Sequence, residues 1–91
     1  MSEQIQRVSW DKPTEEKFLV ILKQIPDMIR GIAETRVNNK AQSIVRAQNR
    51  AVIEERDMVE AFFAETPPAF KGAMVKSMQE LGIDHKSYGF E

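Results

Sequence analysis

Apolar residues recur with helical spacing in four segments of the chain. The first segment carries a stripe at positions i, i+3, i+4 and i+7, made of Phe18, Ile21, Leu22 and Ile25. Asp11 or Ser9 can cap the start of this helix, and Pro13 suits its first turn. Because a proline disfavours helical geometry in the residue before it, Pro26 predicts that helix 1 stops near Gln24.

The segment IPDMIRG, residues 25–31, places a proline and a glycine inside an otherwise helical run. Proline is favoured in the first turn of a helix, so we predict a sharp corner with helix 2 starting at Pro26 or Asp27. A single helix kinked at Pro26 is the alternative. Gly31 costs about 1 kcal/mol relative to alanine in a helix, which indicates close approach of another element there.

Helix 2 is predicted from Pro26 to about Gln48, and its apolar face is not straight. Two stripes differ in direction by about 100°: Met28, Ile29, Ile32 and Ala33 form the first, and Val37, Ala41, Ile44 and Val45 form the second. Asn38–Asn39 lies near the change. Either the helix bends there, or its halves pack against different partners, which would be another part of the chain or another chain. The predicted partner interface is therefore Val37, Ala41, Ile44, Val45, Phe70 and Met74.

The second half of the chain predicts two further helices. After an extended link in which Val52 and Ile53 turn inward, acidic residues open helix 3, and Thr66–Pro68 ends it. Helix 4 starts near Pro68, and Gly82 followed by Ile83 is a helix-stop signal. Helix 4 carries one apolar face made of Phe70, Met74, Met78 and Leu81. We predict an all-α fold, in which residues 11–83 form one small four-helix domain with a long central helix. A loose lead-in at 1–10 precedes the domain, and a tail at 84–91, either mobile or docked, follows it.

Composition narrows the possible functions. The 91 residues are 42% hydrophobic and 30% charged, with a formal net charge of −1 and no cysteine. These values are typical of a folded domain and exclude disulfides, thiolate nucleophiles and cysteine-ligated clusters. A net charge near zero disfavours a dedicated nucleic-acid binder. The first ten residues do not resemble a signal peptide and the longest apolar run is Phe18–Leu22, so we expect a cytoplasmic protein without a membrane segment.

Few residues offer catalytic chemistry. The single histidine, His85, has no recognisable partner and is predicted to be solvated. The acidic residues that open helix 3 are explained by the helix dipole, and these are Glu54, Glu55, Asp57 and Glu60. No phosphate-binding loop, zinc motif or nucleophile motif is present. The internal methionines and the phenylalanines are interpreted as core filling. We therefore predict no enzyme activity, cofactor or metal.

Charge is unevenly distributed. Residues 26–50 contain five basic and two acidic residues, a net +3, whereas residues 54–65 contain five acidic and one basic, a net −4. Four basic residues share one broad side of helix 2: Arg36, Lys40, Arg46 and Arg50. They are suited either to contact DNA phosphates or to pair with the acidic helix 3, within the chain or across a dimer. A solvated or self-complementary role is preferred over DNA contact, since no aromatic residue is interleaved with them.

The spacing of Trp10, the IPDMIRG segment and the later apolar positions resembles the helical domain at the C-terminus of the B subunit of light-independent protochlorophyllide reductase. The matching residues are Trp10, Leu22, Ile25, Pro26, Arg30, Gly31, Val37, Ala41, Ile53, Val59, Glu60 and Ala61. About four extra residues separate Trp10 from Ile25, about four more separate Ala41 from Ile53, and Asn38 replaces a usual glutamate. The resemblance implies a fold and a redox or tetrapyrrole-related partner. It does not imply reductase activity, because the chain has no cysteine.

A looser resemblance is to the histone fold. A long helix followed by RAVIEERDMVEA, residues 50–61, is similar to the end of that fold. This resemblance implies a handshake dimer that binds DNA through Arg36, Lys40, Arg46 and Arg50, although Pro26 would then fall early in the central helix.

Together these patterns predict a non-catalytic interaction or accessory module. Its expected partner is itself, as a homodimer, or a larger redox or tetrapyrrole-related protein, bound through helix 2 and the TPPAF–helix 4 region. The alternative is the histone-like dimer on DNA, and a third possibility is direct tetrapyrrole binding.

Overall fold

The computed structural model describes residues 7–91 and contains four α-helices joined by short connections. The order is β1 (Ser9–Trp10), α1 (Lys12–Lys23), α2 (Asp27–Ala47), β2 (Val52–Ile53), α3 (Glu55–Glu65), α4 (Pro68–Glu80) and a 3₁₀ turn (His85–Tyr88). The predicted all-α domain with a long central helix is confirmed. No helix in residues 7–91 is both long enough and apolar enough to cross a membrane.

Local signals determine both ends of α1. At its start, the Asp11 side chain accepts hydrogen bonds from the backbone N–H of Thr14 at 3.3 Å and from the Thr14 hydroxyl at 2.7 Å. These bonds occupy a donor that a helix N-terminus otherwise leaves without a partner. Of the two predicted caps, Asp11 is therefore the one used. At its end, α1 stops at Lys23.

The IPDMIRG segment forms the predicted corner, and Arg30 stabilises it. The Arg30 guanidinium donates hydrogen bonds to the carbonyls of Leu22 and Ile25, each at 2.9 Å, and so caps the end of α1 from the first turns of α2. Pro26 has an extended conformation and precedes the first residue of α2. The predicted close approach at Gly31 is wrong, because a Cβ atom placed there would meet nothing within 4 Å.

The second stripe of α2 lies in the core of the chain. Val37, Ala41, Ile44 and Val45 are all buried, because α2 packs mainly against α3 and its apolar residues Met58, Val59 and Phe62. The prediction that these four residues form a partner interface is corrected: the other part of the chain that covers them is α3. Met74 is buried too, whereas Phe70 is 46% exposed. The α2 helix is continuous through Asn38–Asn39.

The lead-in and the link pair with each other. β1 and β2 run parallel, with Ser9 opposite Val52 and Trp10 opposite Ile53. Successive strand side chains point to opposite faces, so Ile53 is buried while Val52 is 42% exposed. The prediction that both turn inward was wrong for Val52, and the lead-in is not loose at residues 9–10. Residues 1–6 of the predicted lead-in lie outside the described residues.

Trp10 ties β1 to the helices. Its ring stacks on Phe18 with centroids 4.4 Å apart, and its Nε1 donates a hydrogen bond to Asn38 Oδ1 at 2.9 Å. Trp10 thus joins the strand to α1 and to the middle of α2. Asparagine has a low helix propensity, and this hydrogen bond stabilises Asn38 within α2.

The C-terminal segment docks onto the helices. Gly82 has a φ of 74°, and the Ile83 N–H donates to the Met78 carbonyl at 2.9 Å, which is the predicted glycine stop of α4. Beyond it, His85 is only 4% exposed, and its Nδ1 lies 2.8 Å from the Phe90 carbonyl oxygen. Of the two predicted states for residues 84–91, docking is the one observed. The prediction of a solvated His85 was wrong, since the docked segment and Phe63 cover it.

Candidate functional site

An apolar groove of about 330 Å³ opens between the first half of α2 and α4. The end of α1 and the end of α3 also contribute to it. Its lining residues are Ile21, Gln24, Ile25, Pro26, Ile29, Ala33, Arg36, Val37, Phe62, Glu65, Thr66, Pro67, Phe70, Ala73, Met74 and Ser77. A mostly apolar concavity of this size with a few polar groups is characteristic of a binding site.

The proline-rich turn after α3 explains why the groove is open. Pro67 and Pro68 cannot continue α3, and α4 starts in a new direction at Pro68. The α4 helix then packs against α1, while α3 packs against the second half of α2. The first half of α2 is consequently left beside an unfilled space.

The groove reaches the core of the domain. Four of its lining residues are buried core residues, namely Ile21, Val37, Phe62 and Met74. Phe70 stands at its edge with nearly half of its surface exposed. An occupant would therefore contact the packed interior as well as a partly free aromatic ring.

A second apolar feature, here called the ridge, consists of Met28 and Ile32 on α2. Met28 is 92% exposed and Ile32 is 58% exposed. They are spaced i, i+4 and so lie on one helix face, next to the face through which Ile29 and Ala33 line the groove. Gly31 lies beside them and adds no side chain. Core filling is confirmed for Met58, Met74 and Met78, but it is wrong for Met28.

The partner interface was thus predicted on the wrong stripe of α2. Of the six predicted interface residues, the structure leaves Phe70 substantially exposed, and it places Val37 and Met74 in the floor of the groove. The ridge was missed as a site. The apolar stripe of α3 could have indicated that the second half of α2 is covered within the chain. Elements adjacent in sequence usually pack together, so α3 was the expected cover.

Four polar side chains that line the groove have no side-chain hydrogen bond or ion pair within residues 7–91, namely Gln24, Arg36, Glu65 and Ser77. Arg36 and Glu65 both line it, yet neither forms an ion pair within residues 7–91. The Ser77 hydroxyl has no hydrogen-bond partner among the described residues although Ser77 is 6% exposed. Thr66 differs, because its hydroxyl donates to the Met74 sulfur at 3.1 Å. Unpaired polar groups in an apolar recess are positions where a bound partner gains hydrogen bonds or ion pairs.

The predicted DNA-contacting set is divided by the structure. Arg36 and Arg46 are exposed, and Lys40 is partly buried. Arg50 instead forms a two-pronged ion pair with Asp57, with one N–O distance of 3.0 Å, and Asp57 is only 1% exposed. This hydrogen bond to Asp57 raises the pKa of Arg50. Arg50 is thus unavailable for phosphates, and the predicted pairing with helix 3 within the chain is confirmed for this residue.

A polar cluster of Lys17, Glu55 and Tyr88 holds the C-terminal segment. Lys17 Nζ lies 2.6 Å from Glu55 Oε1, and the Tyr88 hydroxyl donates to Glu55 Oε2 at 2.8 Å. Burial opposes ionisation of Glu55, but the hydrogen bonds from Lys17 and Tyr88 outweigh it and lower the pKa of Glu55. The same bond, aided by burial, raises the pKa of Tyr88 to about 12. This arrangement connects α1, α3 and the tail.

Within residues 7–91, no group of three or more histidine, aspartate or glutamate side chains is arranged to hold a metal ion. Comparison of the chain with protein-family models, with curated proteins and with solved structures gave no match. Interpretation of the site therefore depends on its geometry.

Proposed function

We propose that this chain is a non-catalytic docking module that binds a protein partner through one apolar face. The face consists of the groove, the ridge (Met28 and Ile32) and Phe70 at the groove edge. The observation that carries the proposal is the exposure of Met28 and Ile32 directly beside an open apolar groove. Contiguous apolar surface on a small domain commonly marks an interaction site.

The energetics favour docking over a role in folding. Met28 and Ile32 contribute little to the core in the isolated chain, because most of their surface stays in water. Complete burial of a side chain of this type is worth about 1.5–3 kcal/mol. Binding of a partner that covers Met28 and Ile32 and fills the groove would be favoured by the free energy of burying these side chains. It would not disturb the packing of α2 against α3.

The conspicuous polar clusters favour a non-catalytic role. Asp57 is occupied by Arg50, and Glu55 is occupied by Lys17 and Tyr88. Each of these carboxylates connects parts of the fold. We therefore assign no catalytic residue and no cofactor.

The proposed partners come from the two apolar stripes of α2 and from the resemblance to the protochlorophyllide reductase domain. We propose that the partner is a second copy of the chain or a larger redox or tetrapyrrole-related protein, and that the complex is cytoplasmic. The IPDMIRG sequence carries the resemblance, and the absence of cysteine fits a reducing compartment such as the cytoplasm.

Introduction of a negative charge on the ridge tests the docking function. Ile32→Glu should retain the fold and lose the partner recovered by cross-linking in intact cells, because a carboxylate would have to be desolvated on docking. Val52→Glu is the matched control, since Val52 is 42% exposed on β2 and does not line the groove. If Ile32→Glu and Met28→Glu both keep every partner that the parent binds, the docking function is wrong.

The alternative proposal is a histone-like dimer that binds DNA. The observation in its favour is that Arg36 and Arg46 are exposed on α2 and form no ion pair within residues 7–91. Because Arg50 is bound to Asp57, the residues proposed to contact DNA phosphates are reduced to Arg36, Lys40 and Arg46. If these residues touch phosphates, affinity must fall steeply with salt and fall further in Arg36→Ala, because phosphate contacts release counterions. Salt-independent binding would rule this alternative out.

A further inference from the structure

We propose that the groove accepts a tyrosine or tryptophan side chain of a different protein. The ring of this side chain fills the apolar space, and its polar atom bonds to the Ser77 hydroxyl. The inference rests on the proposed docking function and states the chemistry of the partner: one aromatic residue with an uncharged polar atom anchors the complex.

Ser77 is the buried polar residue of the groove lining. Gln24, Arg36 and Glu65 also lack a side-chain partner within residues 7–91, but all three retain surface that water can solvate. Ser77 is only 6% exposed, and its hydroxyl forms no hydrogen bond among the described residues. Burial of a hydroxyl without a hydrogen bond is unfavourable, and such groups are uncommon in folded proteins. A bound group that bonds to Ser77 would remove this cost.

The charge of the lining favours an uncharged group. Arg36 and Glu65 are the two charged residues that line the groove, so the lining carries no net charge. A charged side chain would lose hydration on entering an apolar groove, and the lining offers it no net opposite charge in return. The hydrogen bond to Ser77 therefore requires a neutral donor or acceptor.

The size and lining of the groove suit an aromatic ring. An apolar cavity of about 150 Å³ holds benzene, and the groove is about 330 Å³, so it has room for a phenol or indole ring. Phe70 presents a half-exposed ring at the groove edge, and Met74 lies in the floor. Aromatic rings pack favourably against other rings and against methionine sulfur.

Tyrosine and tryptophan meet both requirements. Each combines a large apolar ring with one uncharged polar atom, and both are frequent anchors at protein interfaces. Phenylalanine or leucine would fill the space but leave the Ser77 hydroxyl unpaired. Asparagine or glutamine could bond to Ser77 but would bring little apolar surface into the groove.

The anchor comes from a different protein, because this chain has no free residue of the required kind. The sequence contains one tryptophan and one tyrosine. Trp10 stacks on Phe18 and donates to Asn38, and the Tyr88 hydroxyl donates to Glu55. A second copy of the chain could supply either ring only by breaking these contacts.

Two uncharged probes that differ by one hydroxyl test the assignment. N-acetyl-tyrosinamide and N-acetyl-phenylalaninamide are titrated into the isotope-labelled parent chain, and backbone amide shifts are followed by NMR. Both should shift groove residues, and the Kd of the tyrosinamide should be lower by about three- to tenfold because it forms one more hydrogen bond. Equal Kd values, or no saturable shift in the groove up to the solubility of the probes, overturn the inference.

Ser77→Ala identifies the hydrogen-bond partner of the probe. The variant should remove the preference for the tyrosinamide and leave the Kd of the phenylalaninamide nearly unchanged. It should fold, because alanine has the higher helix propensity and the deleted hydroxyl has no partner within residues 7–91. Ser43→Ala is the matched control, since Ser43 is exposed on α2 and does not line the groove. A preference that survives in Ser77→Ala overturns the inference.

Filling the groove tests the location independently. Ala73 is an exposed groove residue on α4, so Ala73→Trp should raise the Kd of both probes by about tenfold by occupying their space. Gln79→Trp is the control, because Gln79 is exposed and, at about 100° per residue, lies on the opposite side of α4. Circular dichroism confirms that each variant is folded. Unchanged binding to Ala73→Trp would place the probes elsewhere and overturn the inference.

Failure of the anchor is separable from failure of the docking function. In intact cells, Ser77→Ala should reduce the amount of partner recovered by cross-linking, and Ser43→Ala should not. If Ser77→Ala keeps the full amount while Ile32→Glu loses it, the anchor is assigned wrongly and the docking face stands. If Ile32→Glu and Met28→Glu both keep the partner, the docking function is wrong and this inference fails with it.

Discussion

The two halves of α2 carry apolar stripes of similar length, but one stripe is buried and the other is partly exposed to solvent. Residues 37–47 bury Val37, Ala41, Ile44 and Val45 against α3, whereas residues 27–36 leave Met28 and Ile32 in solvent. Periodicity alone does not distinguish these outcomes, because it reports which helix face is apolar and not what covers it. The difference comes from the connections: the short β2 link brings α3 back along the second half, and the proline-rich turn directs α4 away from the first half.

The largest effect is expected from the same substitution made in each half. Ile44→Ala should lower the free energy of unfolding by about 2–4 kcal/mol, because it leaves a cavity under α3. Ile32→Ala should change it by no more than about 0.5 kcal/mol in dilute solution. Urea unfolding of both variants and of the parent measures these changes in the free energy of unfolding. Equal losses would mean that Ile32 is covered within the chain and that the two halves do not differ.

The next effect concerns the ion pair that fastens α3 beside the end of α2. Asp57→Ala should cost about 1–3 kcal/mol, because it removes a buried carboxylate that accepts hydrogen bonds from Arg50 and, at 2.9 Å, from the Glu54 N–H. Glu60→Ala, an exchange of another acidic residue of α3, is the control. A loss below 0.5 kcal/mol for Asp57→Ala, on the order of a surface change, would contradict a role in holding the buried half.

A smaller effect is expected at the C-terminal segment, with a defined pH dependence. Because the pKa of Tyr88 is raised to about 12 by its bond to Glu55, the contribution of this bond is fully present below pH 10 and is lost as pH rises through 12. Tyr88→Phe should cost about 1 kcal/mol at neutral pH. Across pH 10–12 the parent should lose more stability than Tyr88→Phe. Parallel pH profiles would show that the bond does not stabilise the docked tail.

The smallest effect is a gain in the exposed half. Gly31→Ala should stabilise the chain by about 0.5–1 kcal/mol, because alanine has the higher helix propensity and its Cβ meets nothing within 4 Å. Thermal unfolding of the dilute protein measures this. A destabilised variant would show that another group approaches α2 closely at Gly31, contrary to the open space around it.

Sequence signals predicted the features that depend on neighbouring residues. Asp11, Pro26 and Gly82 act on the backbone within a few residues, so the ends of α1, the start of α2 and the stop of α4 followed from the sequence. The pairing of Trp10 with Ile53 and the bond between Tyr88 and Glu55 did not, because they join residues more than 30 positions apart. The same limit applies to the site. Phe70 was predicted to be part of it, but the ridge was missed because recognising it required knowing where α3 and α4 pack.

The most direct measurement is the rate at which hydrogen peroxide oxidises each methionine, followed by mass spectrometry. Oxidation follows exposure, so in the dilute isolated chain Met28 should react well before Met58 and Met78, which are fully buried. If a partner covers the ridge in intact cells, Met28 should be protected from oxidation there while the chain remains folded. Equal reactivity of Met28 in dilute solution and in cells would contradict the claim that this face is a docking surface.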